Sequence, residues 1–396
     1  MKIKRLEGQD NPSWKLEPFY FTDNPTLLVG ISGAGKTQIL RVIYALKLIA
    51  QGHSLNGIKW NVEFLTNEGI FYRWEGEFEP QKLLMMTLGD SQLVGDSQLA
   101  SAKQRFNILS EKLYKDDILI VDRTAEQIIF KGIKTPKLSP DTSAIYLLKQ
   151  EEDIHPAAAE IEKIIRAKPP LDFFNDEGIP AYPLLSNNVI STYKNSSLAE
   201  IQNSGIHLVI KLFLVSRYFP EIFLKIKNRF LEIFDSIEDV RIEQPKNWYD
   251  FFTSNFIDHQ LLWVNIKEKG VKESIQQPNI SSGMMKTLMY ISELYLCPPG
   301  SVILLDEFEN SLGVNCIESL IEIILENQAN VQFIMTSHHP YIINNIPPQH
   351  WKIVTRKGGV VRVKEAEDFG ISKSRHKAFI DLINILEDYP EGLEEE

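Results

Sequence analysis

The segment Gly30-Ile31-Ser32-Gly33-Ala34-Gly35-Lys36-Thr37 constrains what this chain can fold into more than any other feature of its sequence. It fits the pattern G-x-x-x-x-G-K-[ST] and joins an apolar run, Thr26–Val29, to a stretch with apolar residues at helical spacing, Lys36–Ala50. In a strand–loop–helix context, glycines let backbone N–H groups point inward around phosphate oxygens, and the helix adds its positive N-terminal end. Lys36 is expected to neutralise β- and γ-phosphate oxygens, and the Thr37 hydroxyl to hold Mg²⁺. The predicted phosphate contacts are Gly30, Ser32, Gly33, Ala34, Gly35, Lys36 and Thr37.

Two carboxylates directly follow a second apolar run, Val302–Leu305. Four successive apolar residues are typical of a strand buried on both faces of a parallel sheet. Open α/β sheets bind ligands at the carboxyl ends of their strands. Asp306 is therefore expected to hold Mg²⁺ or its water, and Glu307 to polarise an attacking water. Taken alone, the segment is equally compatible with two solvated acids at a strand end.

Two further segments place polar residues beside apolar runs. The run Val331–Met335 leads into two histidines, and a histidine at this point can donate a hydrogen bond to a γ-phosphate. We assign that role to His338 and interpret His339 as structural. Ser281 and Gly283 lie where a predicted helix begins, and such an N-terminus can bind a second anion or simply be capped.

Composition and charge exclude several classes of protein. The net charge of −11 does not attract nucleic acid, although 42 Lys and Arg residues leave room for a local basic groove. No run of 18 apolar residues and no hydrophobic segment behind the N-terminus occurs, so we expect a cytoplasmic protein without a membrane span. Cys297 and Cys316 form no CxxC pair, which argues against disulfides and structural zinc and favours two buried thiols.

Hydrophobic periodicity predicts strands and helices along the whole chain. Gly-Asp-Ser-Gln-Leu occurs at 89–93 and 95–99, which is too short for a repeat architecture and is interpreted as a flexible loop. The predicted elements are strands at Lys2–Leu6, Trp14–Phe21 and Thr26–Val29, a hairpin over residues 60–78, a hairpin at Ile118–Val121 and Gln127–Phe130, helices between Ser143 and Phe234, strands at Asp239–Glu243 and Leu261–Ile266, helices at Ser282–Tyr295, Asn315–Glu326 and 374–387, strands at Val302–Leu305 and Val331–Met335, and a hairpin over Lys352–Lys364.

In this order, the motifs resemble those of ABC-type ATPases, and most of all the SMC-like AAA-family ATPases of bacterial anti-phage defence and DNA-repair systems. The run SSGMMKTLMYISELYLCPPGSVILLDEFENSL is similar to that family's signature helix, acidic strand and D-loop, and TSHHPYII to its switch-histidine segment. The resemblance covers residues 2–50 and 280–363 well and the middle poorly.

The resemblance implies an α/β fold of the ABC ATPase type, with a mixed sheet, an antiparallel β subdomain and a helical lobe. It divides the chain into residues 1–150 and 280–396, which would form the ATPase lobe, and a helical insertion at 151–279. It implies ATP and Mg²⁺ as ligands and ATP hydrolysis as the reaction. Ser281 and Gly283 would contact the ATP of a second subunit, and Glu309, Asn310 and Ser311 would form the D-loop of a head-to-tail homodimer or higher oligomer.

Departures from the family pattern narrow these expectations. The signature reads Ile-Ser-Ser-Gly-Met, without the usual second glycine and terminal Gln or Glu. Gln150 lies near the place of the glutamine that usually joins Mg²⁺ to the attacking water, but a solvent-facing glutamine is an equal alternative. The sequence contains no long charged heptad run, so we expect no long coiled coil.

The resemblance leads to two hypotheses about function. The first is a sensor or regulator of anti-phage defence that controls a separate effector, a nuclease or toxin, with nucleic acid as a further possible partner. The second is a DNA-repair or recombination ATPase that binds DNA directly. The terminal helix at 374–387 can dock a partner or pack on its own domain.

Overall fold

The computed structural model describes residues 1–11, 13–21, 24–81, 105–136, 138–167, 184–243, 259–326, 330–371 and 375–388. The Gly-Asp-Ser-Gln-Leu copies lie outside these residues. The chain divides into two compact units. Unit 1 comprises Met1–Arg166, Gly300–Asp306 and Gln332–Glu396, and unit 2 comprises Ala167–Pro299 and Glu307–Val331. The predicted division at residues 150 and 279 concerns sequence segments and stays a prediction.

Within the described residues, fourteen strands form one mixed sheet in unit 1. Numbered along the chain, these strands are β1 (Lys2–Asn11), β2 (Trp14–Tyr20), β3 (Thr26–Val29), β4 (Lys59–Leu65), β5 (Phe71–Phe78), β6 (Ile108–Lys115), β7 (Ile118–Thr124), β8 (Ile128–Phe130), β9 (Ile133–Lys134), β10 (Ile164–Arg166), β16 (Val302–Leu305), β17 (Gln332–Thr336), β18 (Trp351–Lys357) and β19 (Val360–Glu365). Their spatial order is β10-β16-β17-β3-β18-β19-β2-β1-β4-β5-β6-β7-β8-β9.

Five neighbouring strands, β10, β16, β17, β3 and β18, are all parallel. Every residue of β3, β16 and β17 is buried, as expected for parallel strands covered on both faces. Leu305 pairs with Met335 and Thr336 pairs with Leu28, so these three strands end at the same edge of the sheet. The residues that follow them therefore meet at that edge.

The other half of the sheet is antiparallel from β2 to β9, apart from the parallel pairing of β2 with β19. The predicted hairpin over residues 60–78 is confirmed as β4–β5, and the second as β7–β8. Trp60 and Trp74 lie on the buried face, with ring centroids 5.2 Å apart. Strand β6, which joins β5 to β7, was not predicted.

Five helices of the described chain belong to unit 1: α1 (Lys36–Ala50), α2 (Ala144–Leu147), α3 (His155–Ile161), α10 (Pro340–Asn345) and α11 (Arg375–Asp388). Helix α1 buries one face against the sheet, including Ile39, Val42 and Ile43. Helix α11 contacts α10 and buries Ala378 and Leu382, so it packs on its own unit, while Ile380 and Ile383 stay exposed.

Unit 2 consists of helices and two small antiparallel sheets. Helices α6 (Leu208–Tyr218), α7 (Pro220–Ile233) and α8 (Ser282–Leu296) pack against one another, and α8 also contacts α9 (Val314–Glu326). Within the described part of this unit, the elements are α4 (Asn187–Tyr193), α5 (Leu198–Asn203), α6 (Leu208–Tyr218), α7 (Pro220–Ile233), α8 (Ser282–Leu296), α9 (Val314–Glu326), β11 (Leu184–Ser186), β12 (Ile237–Glu243), β13 (His259–Leu261), β14 (Trp263–Glu268) and β15 (Ile275–Gln276), with pairings β11–β13 and β12–β14–β15.

Two details of the predicted elements are wrong. The strand predicted at Leu261–Ile266 is divided between two sheets: Leu261 ends β13, which pairs with β11, and Trp263 begins β14, which pairs with β12 and β15. The stretch predicted as helical from Ser143 to Phe234 also contains β10 and β11, which are three-residue strands and too short to show a period.

The predicted fold class is confirmed: the chain is α/β, with a large mixed sheet, an antiparallel β part and a separate helical unit. Cys297 and Cys316 are buried free thiols, as expected. None of the helices in the described ranges has the length and apolarity that a membrane crossing requires.

Candidate functional site

The loop between β3 and α1 wraps around the ammonium group of Lys36. Lys36 Nζ donates to the carbonyl oxygens of Gly30, at 2.7 Å, and Ile31, at 3.0 Å. Ile31, Ser32 and Gly33 are exposed at the lip of the loop, and Ala34 is buried beneath them. A lysine ammonium held by the backbone of a loop whose outer residues are exposed is an arrangement suited to a polyanionic ligand.

Two glycines of this loop are required by the backbone itself. A Cβ atom at Gly30 would lie 2.3 Å from the carbonyl oxygen of Val354 in β18. Gly35 has φ +106°, in the left-handed region that favours glycine, and caps the N-terminus of α1. Packing against the sheet thus fixes the loop that the sequence pattern predicted.

The carboxylate of Asp306 lies between two threonine hydroxyls. Thr37 Oγ1 donates to Asp306 Oδ1 at 3.0 Å, and Thr336 Oγ1 donates to the same oxygen at 2.8 Å. These residues begin α1, follow β16 and end β17, which meet at one edge of the sheet. The structure therefore brings the predicted Thr37 and Asp306 together.

Thr336 is a member of this cluster that sequence reasoning missed. It is 1% exposed, and its hydroxyl is directed at Asp306. The signal in the sequence was a hydroxyl residue at the end of a buried strand, two positions before His338. Its significance depends on β17 lying next to β16, which the sequence pattern does not specify.

Thr37 and Asp306 fit a magnesium ion. Both offer oxygen ligands, which Mg²⁺ prefers, and Mg²⁺ is usually held by one or two protein groups together with substrate phosphates and water. Across the described residues, no group of three or more His, Cys, Asp or Glu side chains forms a metal cage. Thr37 and Asp306 would hold the ion together with the phosphates of a nucleotide.

Glu307 has an unusual backbone conformation. Its φ is +44°, in the left-handed region that residues other than glycine rarely adopt, and its side chain is exposed. Such conformations cost free energy and concentrate at functional sites. A turn follows, in which the Asn310 amide donates to the Glu307 carbonyl at 2.8 Å and the Leu312 amide to the Glu309 carbonyl at 2.9 Å.

Ser281 and Gly283 lie at the N-terminus of α8, in unit 2. Ser281 is the N-cap: its Oγ accepts from the amide of Met284 at 3.3 Å. A Cβ atom at Gly283 would lie 2.6 Å from the carbonyl oxygen of Ser311. Both residues thus have a structural function within their own chain, whatever they contact in a second copy.

The two histidines after β17 differ in their surroundings. His338 is exposed. His339 is the N-cap of α10, where its Nδ1 accepts from the amide of Tyr341 at 3.2 Å and its own amide donates to Ser337 Oγ at 3.0 Å. His339 therefore has a capping role, and His338 remains the predicted phosphate contact.

Gln150 is exposed. It lies between residues 139–144 and Asp153, and both of these parts of the chain make hydrogen bonds to residues of the antiparallel sheet. On one side Glu111 accepts from the amide of Ala144 at 2.7 Å, and Arg123 Nη2 donates to the carbonyls of Ser139 and Pro140, both at 2.8 Å. On the other side Tyr72 Oη donates to the carbonyl of Asp153 at 2.8 Å, and burial raises the pKa of Tyr72 to about 12. Whether Gln150 contacts the attacking water stays a prediction.

Comparisons with known proteins give one family match. Residues 190–344 match the family described as "AAA domain, putative AbiEii toxin, Type IV TA system". This range contains Ser281, Gly283, Asp306, Glu307 and His338, but not the loop at 30–37. A comparison with curated proteins gave no match.

Solved structures of SMC head domains are similar to this chain at low sequence identity. One, an SMC head bound to the C-terminal winged-helix domain of ScpA, has 14% identity and a TM-score of 0.49, covering 92% of this chain and 97% of that one. The SMC head domain from Thermotoga maritima has 13% identity and a TM-score of 0.42, covering 92% and 99%. An SMC head with an extended coiled coil, bound to the C-terminal domain of ScpA from Pyrococcus furiosus, has 14% identity and a TM-score of 0.48, covering 97% and 99%.

The family match covers the acidic strand end and the histidine segment, and the fold brings Thr37, in the first turn of the helix after the phosphate loop, into contact with Asp306 at the end of that acidic strand. Over residues 190–344 the chain is thus similar to the AAA-domain family, and its fold joins the phosphate loop, which lies outside that range, to the same site.

Proposed function

We propose that this chain binds ATP with Mg²⁺ and hydrolyses it as an ATP-gated dimer. The observation that carries the proposal is the contact between Thr37 and Asp306, whose oxygens lie 3.0 Å apart. It joins the first turn of the helix after the phosphate loop to the end of an acidic strand. In P-loop NTPases, a hydroxyl residue and an aspartate in these two positions hold Mg²⁺.

Each predicted residue has a defined task in this proposal. The loop residues Gly30 to Thr37 bind the β- and γ-phosphates, and Lys36 exchanges its carbonyl partners for phosphate oxygens. Thr37 and Asp306 hold Mg²⁺, which when bound neutralises negative charge on the phosphates. Glu307 accepts a hydrogen bond from the attacking water, and His338 donates one to the γ-phosphate. Water oxygen bonds to the γ-phosphorus as the bond to the bridging oxygen breaks, and the water gives up a proton through Glu307 to solvent, so that ADP and phosphate are released.

The dimer is proposed because Ser281 and Gly283 belong to unit 2, at the N-terminus of a 15-residue helix. Such a terminus carries a partial positive charge and attracts anions. In a head-to-tail pair, the N-terminus of α8 and the turn at Glu309–Ser311 of one subunit would face the γ-phosphate that the other subunit binds. Each half-site would then be incomplete alone, and hydrolysis would depend on association.

As a biological role, we propose control of a separate effector in an anti-phage defence system. The matched family is described in terms of a toxin and a type IV toxin–antitoxin system, which supports this class of function. The effector would be a nuclease or toxin on another chain. The competing role is a DNA-repair ATPase, which predicts DNA binding that strengthens with ATP and weakens with salt.

The first experiment measures mass in solution and ATP turnover for the wild type and Glu307→Gln, with and without ATP and Mg²⁺. We expect the wild type to hydrolyse ATP and to associate when ATP is present. Glu307→Gln should lose activity by roughly 100-fold or more, because it lacks the group that activates water. It should accumulate as an ATP-bound dimer.

The matched control is Glu318→Gln, which changes an exposed acid on α9 and should leave turnover unchanged. The proposal fails if the protein ignores ATP in mass and turnover, or if Glu307→Gln hydrolyses ATP like the wild type. Two measurements separate the biological roles: affinity purification from phage-infected and uninfected cells, and DNA binding at low salt. A stoichiometric effector that copurifies with the protein supports the defence role. DNA binding that strengthens with ATP, without such an effector, supports the DNA-repair role.

A further inference from the structure

Lys286 is a buried lysine in the second turn of α8. It is 4% exposed, and it lies five residues after the N-cap Ser281. Lysine is almost never buried to this extent unless its ammonium group is paired, because removing the charge from water is costly. The partners of Lys286 therefore indicate what the charge does.

The ammonium group of Lys286 holds the turn that follows β16. Lys286 Nζ donates to the carbonyl of Asn310 at 2.7 Å and lies 3.4 Å from the carbonyl of Glu307. It also lies 5.3 Å from the centre of the Tyr290 ring, which stacks on Phe308 at 5.7 Å. The Lys286 ammonium group thus contacts the backbone carbonyls at both ends of the segment Glu307–Asn310.

This turn needs external support. Glu307 and Ser311 have φ of +44° and +65°, in the left-handed region that is unfavourable for residues other than glycine. Conformations of this kind persist only where surrounding contacts determine them. Lys286 supplies such contacts, and Gly283 lets α8 approach closely enough to provide them.

We infer that Lys286 is a positioning residue for the reaction. It holds the backbone of Glu307 in the left-handed conformation and so directs the carboxylate towards the water. It also joins the N-terminus of α8 to the turn, so that Ser281 and Glu307 move together when a second subunit binds. This inference rests on the proposed ATPase function.

The test compares Lys286→Met, which keeps the aliphatic stem and removes the charge, with Lys286→Arg, which keeps a donor and a charge. We expect Lys286→Met to bind a fluorescent ATP analogue with the wild-type Kd, because no loop residue is changed. Its kcat should fall roughly 100-fold, as a displacement of about 1 Å can produce. Lys286→Arg should recover at least a tenth of wild-type kcat. Lys225→Met, an exposed lysine on α7, is the matched control.

Amide hydrogen exchange provides a readout that does not depend on ATP hydrolysis. The amides of Asn310 and Leu312 close the turn, and they should exchange at least tenfold faster in Lys286→Met than in the wild type. If the wild type has no ATPase activity but this exchange increases, the proposed function fails while the positioning contact stands. If exchange and kcat both match the wild type, the inference is overturned.

A purely structural role predicts another pattern. Lys286→Met would then lower the unfolding temperature while the folded fraction kept wild-type kcat, which also overturns the inference. Should Lys286→Met fail to fold, Tyr290→Leu tests the same contact by removing the ring against which the ammonium lies. It is expected to lower kcat about tenfold and leave the Kd for the analogue unchanged, and an unchanged kcat contradicts the inference.

Discussion

Thr37 and Asp306 are 269 positions apart in the sequence, yet the Thr37 hydroxyl donates to the Asp306 carboxylate at 3.0 Å. The contact exists because β3 and β16 flank β17 in the parallel part of the sheet and end at one edge. Thr336, at the end of the middle strand, donates to the same carboxylate oxygen at 2.8 Å. The two hydroxyls fix the orientation of the acid.

Thr336→Val tests whether this orientation matters for metal use. Valine keeps the shape of the buried side chain but removes the donor, and a hydrogen bond to a charged group contributes about 1.5–3 kcal/mol. We expect the Mg²⁺ concentration for half-maximal ATP turnover to rise roughly tenfold, since about 1.4 kcal/mol corresponds to that factor. A Mg²⁺ titration at saturating ATP measures it.

Thr355→Val is the control, because it changes a buried threonine in β18. It should leave the Mg²⁺ requirement unchanged. An equal Mg²⁺ requirement in Thr336→Val and wild type would show that Thr37 alone orients Asp306.

Gly283→Ala should lower the free energy of unfolding even when no nucleotide is bound. A Cβ atom would lie 2.6 Å from the Ser311 carbonyl, which is backbone and cannot swing away. Overpacking of this kind typically costs about 1–3 kcal/mol. Urea unfolding of the nucleotide-free protein measures the loss, and Gly205→Ala, with no atom within 4 Å of its Cβ, is the matched control.

If Gly283→Ala unfolds like the wild type and only ATP-driven association is weakened, the glycine acts solely through the partner subunit. Ser281→Ala is the better probe of the dimer interface, because it removes one capping hydrogen bond and introduces no clash with the backbone. Its cost to stability is that of one N-cap, about 1 kcal/mol.

The sequence predicted the parts of this fold where local pattern and tertiary environment agree. The runs Thr26–Val29 and Val302–Leu305 are strands with the predicted bounds, because strands buried on both faces need uninterrupted apolar residues. The phosphate loop follows from glycines with backbone requirements of their own. These features need no knowledge of distant neighbours.

Other features depended on neighbours that the pattern does not specify. Strand β6 was missed because Glu111 faces inward among apolar residues, where it pairs with Arg123. The role of Thr336 depends on which strands flank β17. A buried charge and a strand order are both products of the complete fold.

Arg123→Met tests the buried pair that hid β6. Arg123 and Glu111 are 2% and 1% exposed, and their closest charged atoms lie 3.6 Å apart. Removing one partner leaves a buried carboxylate, and breaking such pairs costs about 3–5 kcal/mol. We expect the free energy of unfolding in urea to fall by about 3 kcal/mol, the lower end of this range. The reason is that Trp74, Ser143 and the Ala144 amide still donate hydrogen bonds to Glu111.

The double variant Arg123→Met with Glu111→Gln should recover part of this loss, because the remaining group is neutral. Arg105→Met, which removes an exposed arginine paired with Asp141, should cost less than about 1 kcal/mol. A loss in Arg123→Met no larger than that in Arg105→Met would show that the pair contributes little.

His207 makes the stability of unit 2 depend on pH. It is the N-cap of α6, and its Nδ1 accepts from the amide of Val209 at 3.2 Å, which requires an unprotonated nitrogen. Burial lowers the pKa of His207 below its ordinary value of 6.5. The folded state therefore binds this proton less tightly than the unfolded state, so the contribution of His207 to stability is fully present above pH 6.5 and is lost as the pH falls below it.

His207→Asn keeps a capping side chain that does not titrate. Between pH 7.5 and 5.5, the wild type should lose about 1 kcal/mol more than His207→Asn, the usual contribution of one N-cap. Urea unfolding followed by circular dichroism at each pH measures the difference, and parallel pH profiles for the two proteins would contradict the assignment.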